Sequence, residues 1–292
     1  MKNWKKYTLG ISLAGLFVIP LQVSQVQAQN VLDGAYIKEH LPDRRVTPYA
    51  HLREADVMWF KRTWRYIDLK EKLNLPFAYP KSSQKIRDRR NLFDVIHDAV
   101  LEGAITAYNA YNGILPDDEF TIPYTLEEVQ TIGADPPDTI GFEDPLTGEW
   151  TEQIVTHELN RDAVVKIKIK EDWFFDNQRS VLEARILGIA PVMEQFSETG
   201  EYIGDLDLYW VYFPELRTII SNEEVFNRWN DAERRTYDDI FHKRMFSSYI
   251  IKESNVYNRR IKDYKTGLDA LLEAERVKYD IFFRMEHDLW EF

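Results

Sequence analysis

The period of apolar and polar positions changes along the chain. From Leu92, apolar side chains recur at Ile96, Ala99, Val100, Gly103 and Ala107, tracing a helix face that Asn112-Gly113 would end. "VVKIKIK" (164–170) alternates strictly and predicts a strand. "EARILGIAPV" (183–192) and "LYWVYFP" (208–214) predict two more, separated by a hairpin-like turn at "SETGEY". The turn-rich stretch 135–155 puts Thr147-Gly148 at another hairpin tip. "HLREADVMWFKRTWRYIDLKEKLNLP" (51–76) reads as helical by composition, stopped by Pro76.

"TLEE" (125–128) and "SNEE" (221–224) have the form of capping boxes, and after the second the chain reads as helical to its end. Within that region Tyr237, Ile240, Phe241, Met245, Ser248 and Ile251 share one stripe of a helix over 231–253. Phe246 and Ile250 fall on the opposite side, so this helix needs two covers. The order helix, strand, helix predicts an α+β fold, helix-rich, with a small antiparallel sheet and hairpins mid-chain and long helices at the C-terminal end. A faint internal likeness relates "WFKRTWR" (59–65) to "WFFDNQR" (173–179) and "LFDVIHDA" (92–99) to "VFNRWNDA" (225–232).

The first 28 residues join Lys2, Lys5 and Lys6 to the apolar run "LGISLAGLFVIPL" and to Val26-x-Ala28, the plan of a secretory signal peptide. Residues 29–50 read as an extended arm with Val31, Leu32, Tyr36 and Ile37 to dock with. Residues 51–292 read as an α+β globular region, divisible at residue 150 into two subdomains.

With 49 acidic against 37 basic residues, the net charge is −12. That argues against nucleic acid and against direct docking on anionic lipid. The absence of cysteine excludes thiol catalysis, thiolate zinc sites and a lipidated cysteine after the signal. His157-Glu158 invites the zinc-protease motif, but Arg161 stands where the second histidine belongs. Asp117-Asp118 and Asp238-Asp239 could serve a glycosidase, although adjacent acidic pairs are common in a chain this acidic. No catalytic, metal or cofactor residue is assigned.

Read together, "VLDGAYIKEH", "YAHLREADVMW", "WVYFPELR", "NDAERRTYDDIF", "FSSYIIKESNVYNR" and "TGLDALLEAER" resemble the gliding-motility GldN family of the Bacteroidota, called PorN in non-gliding relatives. The likeness runs from Val31 to "HDLWEF". It implies a non-enzymatic component of the type IX secretion system. It also implies a periplasmic ring with the lipoprotein GldK (PorK) beneath the outer membrane, connected to the periplasmic region of GldM (PorM). Self-association within the ring would then cover the second side of the 231–253 helix, the alternative being that Phe246 and Ile250 pack against the C-terminal helix of the same chain; Tyr36, Ile37, Phe246, Ile250, Trp290 and Phe292 are the candidate partner contacts. The alternative, resting on aromatics and acidic pairs, is a periplasmic glycan-binding or glycan-cleaving protein.

Overall fold

The computed structural model describes residues 45–84, 86, 89–113, 115–134, 138–143, 150–155, 159–197, 199–230 and 232–284. They fall within the compact unit Pro42–Phe292. The chain opens with a long strand β1 (Val57–Asp68), a short helix α1 (Leu75–Ala78) and helix α2 (Leu92–Leu101). Strand β2 (Ala107–Asn109) and the small pair β3 (Tyr111–Asn112) and β4 (Leu115–Pro116) lead to α3 (Leu126–Thr131) and the hairpin β5 (Asp138–Glu143) and β6 (Trp150–Val155). Then come β7 (Val164–Asp176), β8 (Val181–Phe196), β9 (Tyr202–Asp207), β10 (Tyr209–Tyr212) and α4 (Phe213–Ile220). The pair β11 (Glu224–Val225) and β12 (Arg235–Thr236), helix α5 (Tyr237–His242), β13 (Tyr249–Glu253) and helix α6 (Leu268–Tyr279) complete the elements used below.

Seven strands form one sheet in the order β13-β1-β7-β8-β10-β2, with β9 also on β8. Every pairing in it is antiparallel. This overturns the expected fold class: the body of the molecule is a large sheet, not a helix-rich assembly with a small one. Among the described residues the longest helix is α6, at 12 residues.

The sheet is buried on both faces. Opposed residues of antiparallel strands point the same way, so Ile67 and Ile167 stand together, as do Ile169, Ile189 and Val211. Leu92, Ile96 and Val100 of α2, Leu216 and Ile220 of α4 and Phe241 of α5 close over them as the main core. On the other face Trp64, Ala190 and Trp210 form a second core with Ala110, packed by Tyr108, Tyr111 and Phe120. Lys168 and Lys170 also point there, and both are buried. Lys168 Nζ lies 2.5 Å from Asp207 and Lys170 Nζ 2.5 Å from the Asp118 carbonyl. Lys166, at the rim, reaches Asp205 at 2.8 Å. A buried ammonium is tolerated only with such partners.

Two-faced burial explains the misread first strand. In "VMWFKRTWRYID", Thr63, Arg65 and Ile67 face one side and Trp64 and Tyr66 the other, and all five are buried. Without a wet face the period-2 signal vanishes and the charged residues suggest a helix.

The 231–253 helix is also overturned. Thr236 and Asp239 cap α5 in a capping box, but the helix ends after His242. Arg244 takes φ +52°, and the Met245 N–H returns to the Ile240 carbonyl at 2.9 Å, a left-handed helix stop. β-Branched Ile250 and Ile251 then enter β13. "SNEE" is no helix start, since Ser221 caps the end of α4 and Glu224 begins a strand. The helix α4 instead opens inside "LYWVYFP", at Phe213 with Pro214 in its first turn.

Other expectations held. "VVKIKIK" lies on β7, "EARILGIAPV" on β8, and 197–201 joins β8 to β9. Thr125 and Glu128 form the capping box of α3. The paired strands β5 and β6 flank the expected hairpin tip, whose Thr147 and Gly148 lie outside the described residues. The α2 helix stops at Leu101, short of the expected end, because Gly103 turns at φ +71° and Ala107 joins the sheet. Of the likened segments, 59–65 lies on β1 and 173–176 on the neighbouring β7, whereas 92–99 is helical and the described residues of 225–232 are not.

Candidate interaction surface

The carboxylate pairs singled out in the sequence are divided among structural tasks. Asp238 grips the buried Arg217 with both oxygens, at 2.8 and 3.2 Å, while Asp239 caps α5. Asp118 accepts the Trp64 indole N–H and lies 3.5 Å from Lys170 Nζ. Asp117 accepts the Glu119 N–H at 2.9 Å and the Thr121 hydroxyl at 3.1 Å. The four carboxylates are thus each engaged by neighbouring groups of the fold, whereas sugar hydrolysis requires two carboxyl groups free to flank a glycosidic bond. His157 and Glu158 lie outside the described residues, and Arg161 reaches Asp98 at 2.7 Å. Among the described residues no cluster of three or more His, Cys, Asp or Glu is placed to hold a metal ion.

The most deeply buried charge is Glu171, with no solvent exposure. Its carboxylate receives Arg244 at 2.6 Å, Trp173 Nε1 at 2.8 Å, and Arg65 and the Thr63 hydroxyl at 3.2 Å each. Burial alone would raise its pKa, but the charges of Arg244 and Arg65 and the hydrogen bonds from Arg244 and Trp173 outweigh that and hold it below the usual carboxylate range. With every oxygen so occupied, Glu171 ties the turn after α5 to the sheet.

A polar cleft of about 390 Å³ opens beside Trp64, Asp117, Asp118, Lys168, Lys252 and Arg260. The Lys252 ammonium sits 4.2 Å from the centroid of the Trp64 ring, so that indole face is not open to stack a sugar. Burial depresses the Lys252 pKa.

The surface instead leaves large apolar groups uncovered in two places. The first is a groove of about 510 Å³ walled by Leu75, Pro76, Tyr79, Pro80, Ile86 and Phe226. Its floor is rigid. Asn74, fully buried, donates to the Asp68 and Ser247 carbonyls at 2.8 and 3.0 Å and accepts the Ser247 N–H at 2.9 Å. Phe77 packs inward on Tyr237, Phe241 and Phe246. With Phe77 turned in, Leu75 and Tyr79 turn out. Across the groove the buried Asn227 accepts the Trp229 N–H at 3.1 Å and donates to Glu233 at 3.0 Å. That turn leaves Phe226 47% and Trp229 82% exposed. Among the described residues that line the groove are three cations, Lys72, Arg89 and Arg228, and no acid.

The second is the outer face of α6. Ala274 and Val277, with Ile281 beyond the helix, pack on Ile250 and Trp173, while Leu268, Leu271, Leu272, Tyr279 and Phe283 remain exposed. Tyr279 and Phe283 stack at 4.5 Å. Exposed apolar patches of this kind mark interaction sites.

Of the expected partner contacts, Tyr36, Ile37, Trp290 and Phe292 lie outside the described residues. Ile250 is 3% exposed and covered by the chain's own C-terminal helix. Phe246 is half-buried, its ring 5.7 Å from Phe241 and 6.5 Å from Phe77. The groove residues are scattered over the end of the stretch expected as helix (Leu75, Pro76), the residues that follow it (Tyr79, Pro80), the basic run 81–90 (Ile86, Arg89) and the distant Phe226 and Arg228. The signal available was Ile86 between basic residues, with Phe226 and Trp229 in a stretch lacking the core spacing.

A family model described as "Gliding motility associated protein GldN" matches residues 52–291, which include both uncovered surfaces up to Phe283. No curated protein matches the chain.

Proposed function

The chain belongs to the gliding-motility-associated GldN family, a component of gliding motility and type IX secretion, and we propose that within this machinery it is a structural subunit without catalytic activity. In this reading it is exported by residues 1–28 and held in the periplasm at the outer membrane through the lipoprotein GldK (PorK). With that partner it forms a ring that meets the periplasmic region of GldM (PorM).

The observation that carries the reading is the contrast between interior and surface. The acidic pairs and the buried Glu171 are consumed in holding the fold, whereas the groove and the outer face of α6 leave apolar side chains without a cover. An assembly subunit needs such faces, and a glycosidase needs open carboxylates. A glycan-binding role gains less support, because Lys252 covers the Trp64 ring.

The test is fractionation of host cells with and without the lipoprotein, combined with light scattering on the co-expressed pair. The reading expects a megadalton complex and loss of outer-membrane association when the lipoprotein is deleted. Membrane retention without the lipoprotein, or a persistently monomeric chain in its presence, would overturn it.

A further inference from the structure

The apolar groove and its cationic rim specify an occupant. Among the described residues Lys72, Arg89 and Arg228 have no carboxylate partner, although the chain as a whole carries net charge −12. Two of the three lie against aromatic rings instead, Arg89 over Phe226 at 5.4 Å and Arg228 over Trp229 at 5.4 Å. Cations so held remain able to take a carboxylate at the rim while the apolar floor takes a large side chain. The matching ligand is a short segment in which aromatic or aliphatic residues alternate with acids.

The chain itself contains one. Residues 285–292, "MEHDLWEF", carry Glu286, Asp288 and Glu291 among Leu289, Trp290 and Phe292. Three acids answer three cations, and three large apolar side chains answer the apolar floor. The residues leading into it, Tyr279 and Phe283, are exposed.

We propose that residues 285–292 of one copy dock in the groove of a second copy, with Trp290 in the apolar floor and the three acids at Lys72, Arg89 and Arg228. The two surfaces differ, so the contact is heterologous, and its repetition builds a closed ring or an open filament. The inference rests on the reading of the chain as an assembly subunit and names a surface for it.

The experiment uses the full chain with two sets of charge reversals. One variant carries Arg89→Glu and Arg228→Glu in the groove, the other Glu286→Arg, Asp288→Arg and Glu291→Arg in the segment. Arg89 and Arg228 are not among the buried core residues, and an unchanged denaturant midpoint confirms that each variant folds. The wild-type chain should gain mass with concentration in light scattering. Each variant alone should remain monomeric. An equimolar mixture of the two should associate again, because the acidic groove of one now meets the basic segment of the other. A wild-type chain that stays monomeric, reversals that leave its mass unchanged, or a mixture that fails to associate would each overturn the proposal. Docking within one copy would show as a monomer at every concentration and overturns it equally. A chain monomeric alone that still enters the large complex with the lipoprotein would sink this contact while leaving the assembly reading intact.

Discussion

Arg244, turned out of helical conformation just after α5, places its Nη2 2.6 Å from Oε2 of the fully buried Glu171. The guanidinium also lies 4.8 Å over the Trp173 ring, which itself donates to the same carboxylate. One buried acid therefore fixes a loop, two arginines and a tryptophan. Glu171→Gln should strand Arg65 and Arg244 without their counter-charge and lower unfolding stability by about 3–5 kcal/mol, the usual cost of breaking a buried pair from one side. Urea denaturation of the purified chain measures it, and a loss under about 1 kcal/mol would contradict the assigned role.

Acidification should weaken the fold in two stages. His97 is buried, 3.1 Å from the Tyr209 hydroxyl, and its pKa is lowered by burial first and by Arg161 second. The unfolded chain therefore takes up a proton near pH ~6.5 that the folded chain refuses, so stability falls as pH drops below that value. Glu171 is also depressed, so its contribution is complete above pH ~4.3 and is lost as pH falls through its lower folded value. Thermal midpoints across pH should show both stages. His97→Gln should abolish the upper stage and Glu171→Gln should flatten the lower.

Ile250 and Phe246 should separate in mutational cost. Ile250→Ala removes a side chain from beneath α6 and should cost about 2–5 kcal/mol in the isolated chain. Phe246→Ala, at a half-buried site, should cost less. The denaturant midpoint of each variant decides the matter, and an unchanged midpoint for Ile250→Ala would mean that α6 does not cover it.

The lysine ladder of β7 offers a double-mutant test. Asp207→Ala should leave the Lys168 ammonium buried without its 2.5 Å partner and destabilise by about 3–5 kcal/mol. Adding Lys168→Met should recover most of that loss, because an apolar chain of similar length suits the site beside Trp210. No recovery in the double variant would show that the pair does more than neutralise itself.

Crowding on the same face gives a further check. A Cβ on Gly188 would stand 2.4 Å from Phe120 Cζ and 3.2 Å from Trp210 Cε3. Gly188→Ala should push the Phe120 ring aside at a cost of about 1–3 kcal/mol, read as a lower thermal midpoint. Phe120→Leu in the same chain should relieve part of it.

How far the sequence was legible follows from where water is. Strand β8 and the turn to β9 were readable from apolar runs and a glycine turn. Strand β7 was readable because its charged positions alternate, although Lys168 and Lys170 turned out to lie in a second core. Strand β1 was unreadable, since burying Trp64 and Arg65 on opposite faces erases the period. The break after α5 was hidden because a helix stop built on Arg244 lacks the glycine that usually announces one. The groove depends on Leu75 and Phe226, far apart in sequence, meeting across a turn locked by Asn227, and no local pattern encodes that meeting.

The neighbour of the first strand is the last one. Arg65 on β1 bonds to the Ser248 carbonyl 183 residues later, and β13 then lies along β1. Such distant pairing makes folding slow relative to local helix formation. While the chain is still being made, the other six strands of the sheet, all complete by Tyr212, can already pair, but β1 keeps an open edge until β13 arrives. Until nearly the whole chain has been made, then, the long first strand offers one unpaired edge, and an exposed strand edge is a template for pairing with another chain.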